Sequence, residues 1–268
     1  MRAHTKAPEG GFPAGLTLLA AKEDADGFGL DFGVLKLDQG ASFDETAPCE
    51  SAYLLMSGAA EFRFANRTET AARASLFDDG PTCLHVGKGE RVTLAAASAC
   101  EFTVYRCANP KALPARFFRP ADVPDEYRGK GQIGGQCLRN VRTIFDGTNS
   151  PKDAELVLGE VVTLPGRWSS YPPHHHPQPE IYHYRFTEPQ GYGHAELGET
   201  VLKVRHGDTV KIADGFDHAQ AAAPGYGMYY AWVIRHLPGN PYTVPEFTEA
   251  HRWTMAKDAK YWKPAWSE

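Results

Sequence analysis

Apolar and polar positions alternate along this 268-residue chain in short runs, and they seldom recur at helical spacing. GLDFGVLKL (29–37), AYLLM (52–56), AEFRF (60–64), RVTLAA (91–96) and EFTVYR (101–106) read as strands. The second half repeats the texture in ELVLGEVVTL (155–164), EIYHYRF (180–186), TVLKVR (200–205), DTVKIA (208–213) and MYYAWVI (228–234). The 26 glycines and 20 prolines fall between these runs as punctuation. Turn signals at such close intervals predict a sandwich or barrel. Short helical turns are expected only near 120–127 and 246–252.

The two halves read as copies of one plan. In the first, an acidic residue opens a strand that ends at a glycine turn in ESAYLLMSG (50–58), and GPTCLHVGKGERV (80–92) leads into the next. EIYHYRF and GDTVKIADGFDHA (207–219) take the same two roles in the second. The expected fold is all-β: a bicupin of two jelly-roll barrels or sandwiches with few short helices, each closed on itself to hide its sheet edges. Residues 1–110 are assigned to a first lobe without metal, 111–153 to a charged, glycine-rich interlobe segment, and 154–268 to a metal-binding lobe.

The chemistry concentrates in YPPHHHPQPEIYHY. On an extended strand His174 and His176 project to one face, His175 to the other, and Glu180 keeps the parity of the first pair. Gly207, Ala213, Gly215 and His218 then follow the spacing of a second cupin motif, with alanine where proline is usual. Three imidazoles and a carboxylate predict one divalent ion, zinc first, with Mn²⁺, Fe²⁺ or Ni²⁺ as alternatives. The first lobe departs from this pattern: His85 is its one histidine beyond residue 5, and Val92 stands in the position of His218.

Composition narrows the remaining classes. The net charge of −5 comes without any Lys/Arg cluster, so no nucleic-acid partner is expected. No apolar run is long enough to span a bilayer and no leader-type stretch follows the first residues, so no membrane association and a cytoplasmic location are expected. Five cysteines with no CxxC pair predict reduced thiols.

GEVVTLPGRWSSYPPHHHPQPEIYHYRF, PQGYG and GDTVKIADGFDHAQAAAPGYGMYYAWV strongly resemble the 5-deoxy-glucuronate isomerase family of inositol catabolism. LDQGASFDET, SLFDDGPTCLHV and RGKGQIGGQCLRNVRTIF extend the likeness, more loosely, over nearly the whole chain. The resemblance implies a bicupin that isomerises the aldose 5-deoxy-glucuronate to the ketose 2-deoxy-5-keto-gluconate, with His174, His176, Glu180 and His218 as metal ligands. Three features depart from the family. Only PQP (177–179) separates the HxH pair from the glutamate, His183 interrupts Tyr182 and Tyr184, and Arg167 replaces an asparagine. A diverged paralogue, either a metal-dependent dioxygenase or a non-catalytic sugar binder, is the alternative.

Further roles follow from what such a reaction needs. Glu180, Tyr182 and Tyr184 share the inward parity and are the catalytic candidates. A uronic-type sugar acid needs a cation for its carboxylate, for which Arg139 and Arg142 in CLRNVRTI are candidates. Trp168, Ser169, Ser170, Tyr171 and Gln190 are candidates for sugar hydrogen bonds and stacking. The expected partner is the small sugar acid itself, together with further copies of the chain in a homo-oligomer.

Overall fold

The computed structural model describes residues 3–24, 28–213 and 215–266. These residues form antiparallel sheets with three short 3-10 turns, at Pro120–Asp122, Gln132–Gly135 and Glu249–Met255. This is the expected all-β bicupin.

In the first lobe the strands Arg116–Phe118, Cys83–Val86, Glu50–Phe64, Cys100–Cys107, Leu30–Leu37 and Gly15–Ala20 lie side by side in that order. The far half of Glu50–Phe64 pairs instead with Arg67–Arg73 and Arg91–Ala96. One 15-residue strand therefore serves two faces of the barrel, where a turn was expected at Gly58. Gly58 is a kink, not an end. It sits at φ +84°, and a Cβ there would lie 2.2 Å from the Ala99 carbonyl oxygen, a position only glycine can fill. Val92 packs in this lobe's apolar core with Leu35, Tyr53, Phe62 and Phe102.

The second lobe sets a seven-stranded sheet against a five-stranded one. The larger sheet runs His4–Thr5, Thr209–Ile212, Glu180–Phe186, Met228–Arg235, Leu156–Thr163, Arg139–Phe145, Glu126–Arg128. The smaller runs Thr200–Arg205, Tyr192–Leu197, His218–Ala222, Trp168–His175, Glu246–Phe247. The expected boundaries at 110 and 153 do not coincide with sheet membership. Arg116–Phe118 pairs with Cys83–Val86 of the first lobe, whereas Glu126–Arg128 and Arg139–Phe145 extend the sheet of the second. The N-terminal His4–Thr5 crosses over to pair with Val210 and Thr209.

Strand alternation explains how the lobes share their central strands. On Met228–Arg235, Met228, Tyr230, Trp232 and Ile234 face the interior of the second barrel, while Tyr229, Ala231 and Val233 join a core shared with Leu30, Phe32, Leu54 and Tyr105 of the first lobe. Both faces are buried. On Glu180–Phe186 the inward set is Tyr182, Tyr184 and Phe186. His183, on the opposite face, is enclosed by Phe12 and Phe32 and bonded to Thr209 Oγ1 at 2.9 Å.

Two buried carboxylates join the lobes. Glu50 accepts hydrogen bonds from the backbone amides of Glu155 and Leu156 at 2.8 and 3.0 Å, from Asn109 at 2.7 Å, and pairs with His85 at 2.9 Å. Glu160 receives Arg73 at 2.7 and 3.1 Å, Arg142 at 3.0 Å and the Tyr229 hydroxyl at 2.8 Å. All five cysteines are buried free thiols. Among the described residues no helix is long and apolar enough to cross a membrane.

Candidate active site and metal centre

The strand Trp168–His175 places His174 across the ladder from His218, and Glu180 opens a strand of the facing sheet. His176 Nε2 lies 3.2 Å and His218 Nε2 3.3 Å from Glu180 Oε2. Donor atoms of His176, Glu180 and His218 all fall within 4.8 Å of one another. His174 borders this group without belonging to it, its ring 4.3 Å from that of His218 and edge-on to Phe247. His175 projects away and bonds Asp217 at 2.7 Å, as parity requires.

The orientation of the imidazoles is set by the backbone. Each Nδ1 lies against a carbonyl oxygen: that of Pro172 for His174 (3.3 Å), Gln178 for His176 (2.9 Å) and Phe216 for His218 (3.1 Å). Each Nε2 is thereby left as a lone-pair donor, the arrangement a metal-binding histidine requires. His218 Nε2 is buried and faces Glu180 Oε2 at 3.3 Å without a hydrogen bond to it, and a buried lone pair set against a carboxylate oxygen calls for a cation between them. Burial works against the Glu180 charge, but the imidazoles of His176 and His218 beside it prevail and hold the carboxyl at about 2. Burial, reinforced by His218, keeps His174 neutral with its pKa down at about 3. Neutral imidazoles with an ionised carboxylate fit a divalent ion, and these four side chains could hold one.

The group opens into a cavity of about 300 Å³. Val141, Val161 and Ile234 make its apolar wall, while Ser170, Tyr182 and Tyr230 bring hydroxyls to it. Tyr171, Tyr242 and Phe247 close its rim. Arg139 lines the cavity, donating to the carbonyls of Cys137 at 3.0 Å and Tyr171 at 3.4 Å. Among the described residues it makes no ion pair with a carboxylate, and burial lowers its pKa. A half-buried guanidinium without a counter-charge is suited to an anionic ligand.

Other candidates lie elsewhere. Arg142 points into the joint between the lobes, held by Glu160, by Asp125 at 2.6 Å and by the Asp79 carbonyl at 2.9 Å, so it does not reach the cavity. It is three positions from Arg139, and odd spacing on a strand sends the two to opposite faces. Tyr184 is deeper in the barrel than the cavity, its hydroxyl donating to Gln220 at 2.8 Å. Ser169 is buried behind the wall, bonded to Thr163 and Tyr230. Trp168 packs on Tyr171 beside a neighbouring hollow, and Gln190 is exposed in a turn. Reasoning from sequence passed over Tyr230 and Trp232, although MYYAWVI gives them the same alternation as Tyr182. Arg128, Tyr242 and Phe247 carry no periodic signal, and tertiary folding alone brings them to the cavity.

The KduI/IolB family model matches residues 10–254. A protein named 5-deoxy-glucuronate isomerase from Geobacillus kaustophilus is 30% identical over 224 residues, covering 76% of this chain and 79% of its own. Its namesake from Geobacillus thermodenitrificans is 28% identical over 248 residues, covering 84% and 86%. The crystal structure of an IolB-like protein from Salmonella typhimurium superposes with a TM-score of 0.85 at 23% identity, covering 96% of this chain and 100% of that one. A Lactobacillus farciminis oxalate decarboxylase shares the fold at a TM-score of 0.64 and 13% identity, covering 91% and 87%. With the family matched over most of its length and both barrels in place, the chain belongs to the KduI/IolB family and is an isomerase of the aldose–ketose, intramolecular-oxidoreductase class.

Proposed function

We propose that the chain is a metal-dependent isomerase of a uronic-type sugar acid, with 5-deoxy-glucuronate as substrate and 2-deoxy-5-keto-gluconate as product. The observation that carries the substrate class is Arg139, a cation without a carboxylate partner among the described residues, in the cavity onto which His174, His176 and Glu180 also open. The relatives' name supports the same sugar acid.

His174, His176, Glu180 and His218 would hold one divalent ion, zinc first. When bound, it supplies Lewis-acid polarisation of the adjacent sugar oxygens. Arg139 binds the carboxylate, so a linear sugar acid lies with its carbonyl end toward the histidines and its acid end toward the guanidinium. The valine and isoleucine wall keeps water from the reacting carbons. Tyr182 is placed to hydrogen-bond substrate oxygens.

The test is to incubate protein loaded with each of Zn²⁺, Mn²⁺, Fe²⁺ and Ni²⁺ with 5-deoxy-glucuronate and follow ketose formation by proton NMR. Conversion is expected with at least one metal, and His218→Ala is expected to lose both metal and turnover. No conversion with any metal, or full activity of metal-free His218→Ala, would reject the proposal.

A further inference from the structure

Moving a double bond from an aldose carbon to its neighbour requires more than a metal site and a carboxylate clamp. A proton must leave the hydroxyl of one carbon and arrive on the oxygen of the next. Glu180 is the one carboxylate among the described residues lining the cavity, and His176 and His218 both engage it. What the wall offers in addition is a row of hydroxyls.

Ser170 Oγ lies 3.0 Å from the Tyr230 hydroxyl and 3.3 Å from that of Tyr182. Tyr230 also donates to Ser169 at 3.0 Å, and Thr163 backs Ser169 at 2.7 Å. The row thus begins at the cavity and ends in the buried interior. The backbone has been bent to make it. Consecutive residues on a strand face opposite ways, yet Ser169 and Ser170 both meet Tyr230. Ser170 achieves this at φ +49°, a left-handed conformation that L residues avoid. At this point the ladder to His218–Ala222 shifts register, between Ser169 and His174. Strain of this kind persists where its surroundings enforce it, and it clusters at functional positions. Tyr182 and Tyr230 stack at 4.7 Å, which fixes both hydroxyls against Ser170.

We propose that Ser170 and Tyr230, with Tyr182 as third partner, form a hydroxyl relay that carries the proton between the two adjacent substrate oxygens. This rests on the isomerase reading above. The relay accepts the proton from the hydroxyl being converted to a carbonyl and delivers one to the carbonyl oxygen being converted to a hydroxyl. It ends as it began. As the hydroxyl gives up its proton, the hydrogen on its carbon moves with its electron pair to the neighbouring carbonyl carbon: one C–H bond breaks and one forms, one C=O is made as the other becomes C–O–H, and no external oxidant is needed. Either oxygen can donate in the Ser170–Tyr182 pair, and in the Ser170–Tyr230 pair once Tyr230 turns its proton from Ser169 to Ser170, so the chain can reverse its direction.

Ser170→Gly keeps the left-handed backbone while removing the hydroxyl, and Tyr230→Phe removes only an oxygen. With metal-loaded protein and 5-deoxy-glucuronate, each is expected to lower kcat about 100-fold or more while KM, metal content and Tm change little. The double variant should lose no more than the worse single one, because both break one chain. Wild-type kcat should slow in deuterium oxide with a curved proton inventory. Ser170→Ala supplies a second removal of the hydroxyl should the glycine variant fold poorly. A kcat near wild type in Ser170→Gly and Tyr230→Phe overturns the relay and leaves the isomerase reading standing. A loss that tracks metal content also overturns it. A wild-type protein with no turnover overturns both.

Discussion

Replacing Arg139 by methionine separates two effects that usually travel together. Methionine keeps the apolar stem of the side chain but removes its charge and its hydrogen bonds to the Cys137 and Tyr171 carbonyls. Those bonds are modest, the second being 3.4 Å long. Burial depresses the Arg139 pKa. A cation whose folded-state pKa is depressed costs folding free energy at every pH where it stays protonated, so removing the charge at neutral pH should leave Tm unchanged or raise it. The charge matters for the substrate. Hydrogen bonds to a charged group contribute about 1.5–3 kcal/mol, which corresponds to a loss of roughly 10- to 150-fold in kcat/KM for the sugar acid. Turnover of an uncharged analogue, with the acid replaced by a primary alcohol, should change far less. The assay is therefore kcat/KM for acid and alcohol substrates side by side, with Tm for both proteins. Equal losses on the two substrates, or a steep fall in Tm, would refute the role given to this guanidinium.

Other expectations concern stability and pH. Glu160→Gln leaves Arg73 and Arg142 without their shared buried counter-charge, which should cost about 3–5 kcal/mol and lower Tm by roughly 10 °C; a fall of a degree or two would show the two arginines satisfied by Asp125 and their carbonyl partners. His174 has a folded-state pKa of about 3 against an ordinary 6.5, so below pH 6.5 the unfolded chain takes up a proton that the native one refuses. Chelator-treated protein should therefore lose stability as pH falls from 6.5 toward 3, at about 1.4 kcal/mol per pH unit from this group. Urea unfolding of wild type and His174→Phe across that range measures it, and parallel pH profiles would show that another group dominates.

Much of the site was legible because strand geometry is so regular. A period of two explains why His175 turns away from His174, but that strand ends at His175 and Glu180 opens a strand of the other sheet, so its meeting with His176 is the work of tertiary folding. The same rule cannot choose between Arg139 and Arg142 until the direction of their strand is known, since it says only that they diverge. It also misleads at Ser170, where a positive φ breaks the alternation and brings two adjacent serines to one tyrosine. Tyr184 has inward parity but lies too deep, a matter of position along the barrel axis that no period encodes. Lobe boundaries were hidden for a different reason: His4–Thr5 and Arg116–Phe118 are short strands whose partners lie far off in sequence. Gly58 shows the limit of reading glycine as punctuation, because it bends a strand without ending it.

The strand Met228–Arg235 has no face left for solvent: Tyr230 looks into the cavity, and Tyr229 holds the carboxylate that clasps two arginines between the lobes. Pocket and joint are thus two sides of one ribbon a single residue thick. The first barrel consequently serves as an anvil, and repacking it should disturb the hydroxyls on the far side. Attempts to widen the pocket for larger sugars are better aimed at the Tyr242–Phe247 rim, which does not share that ribbon.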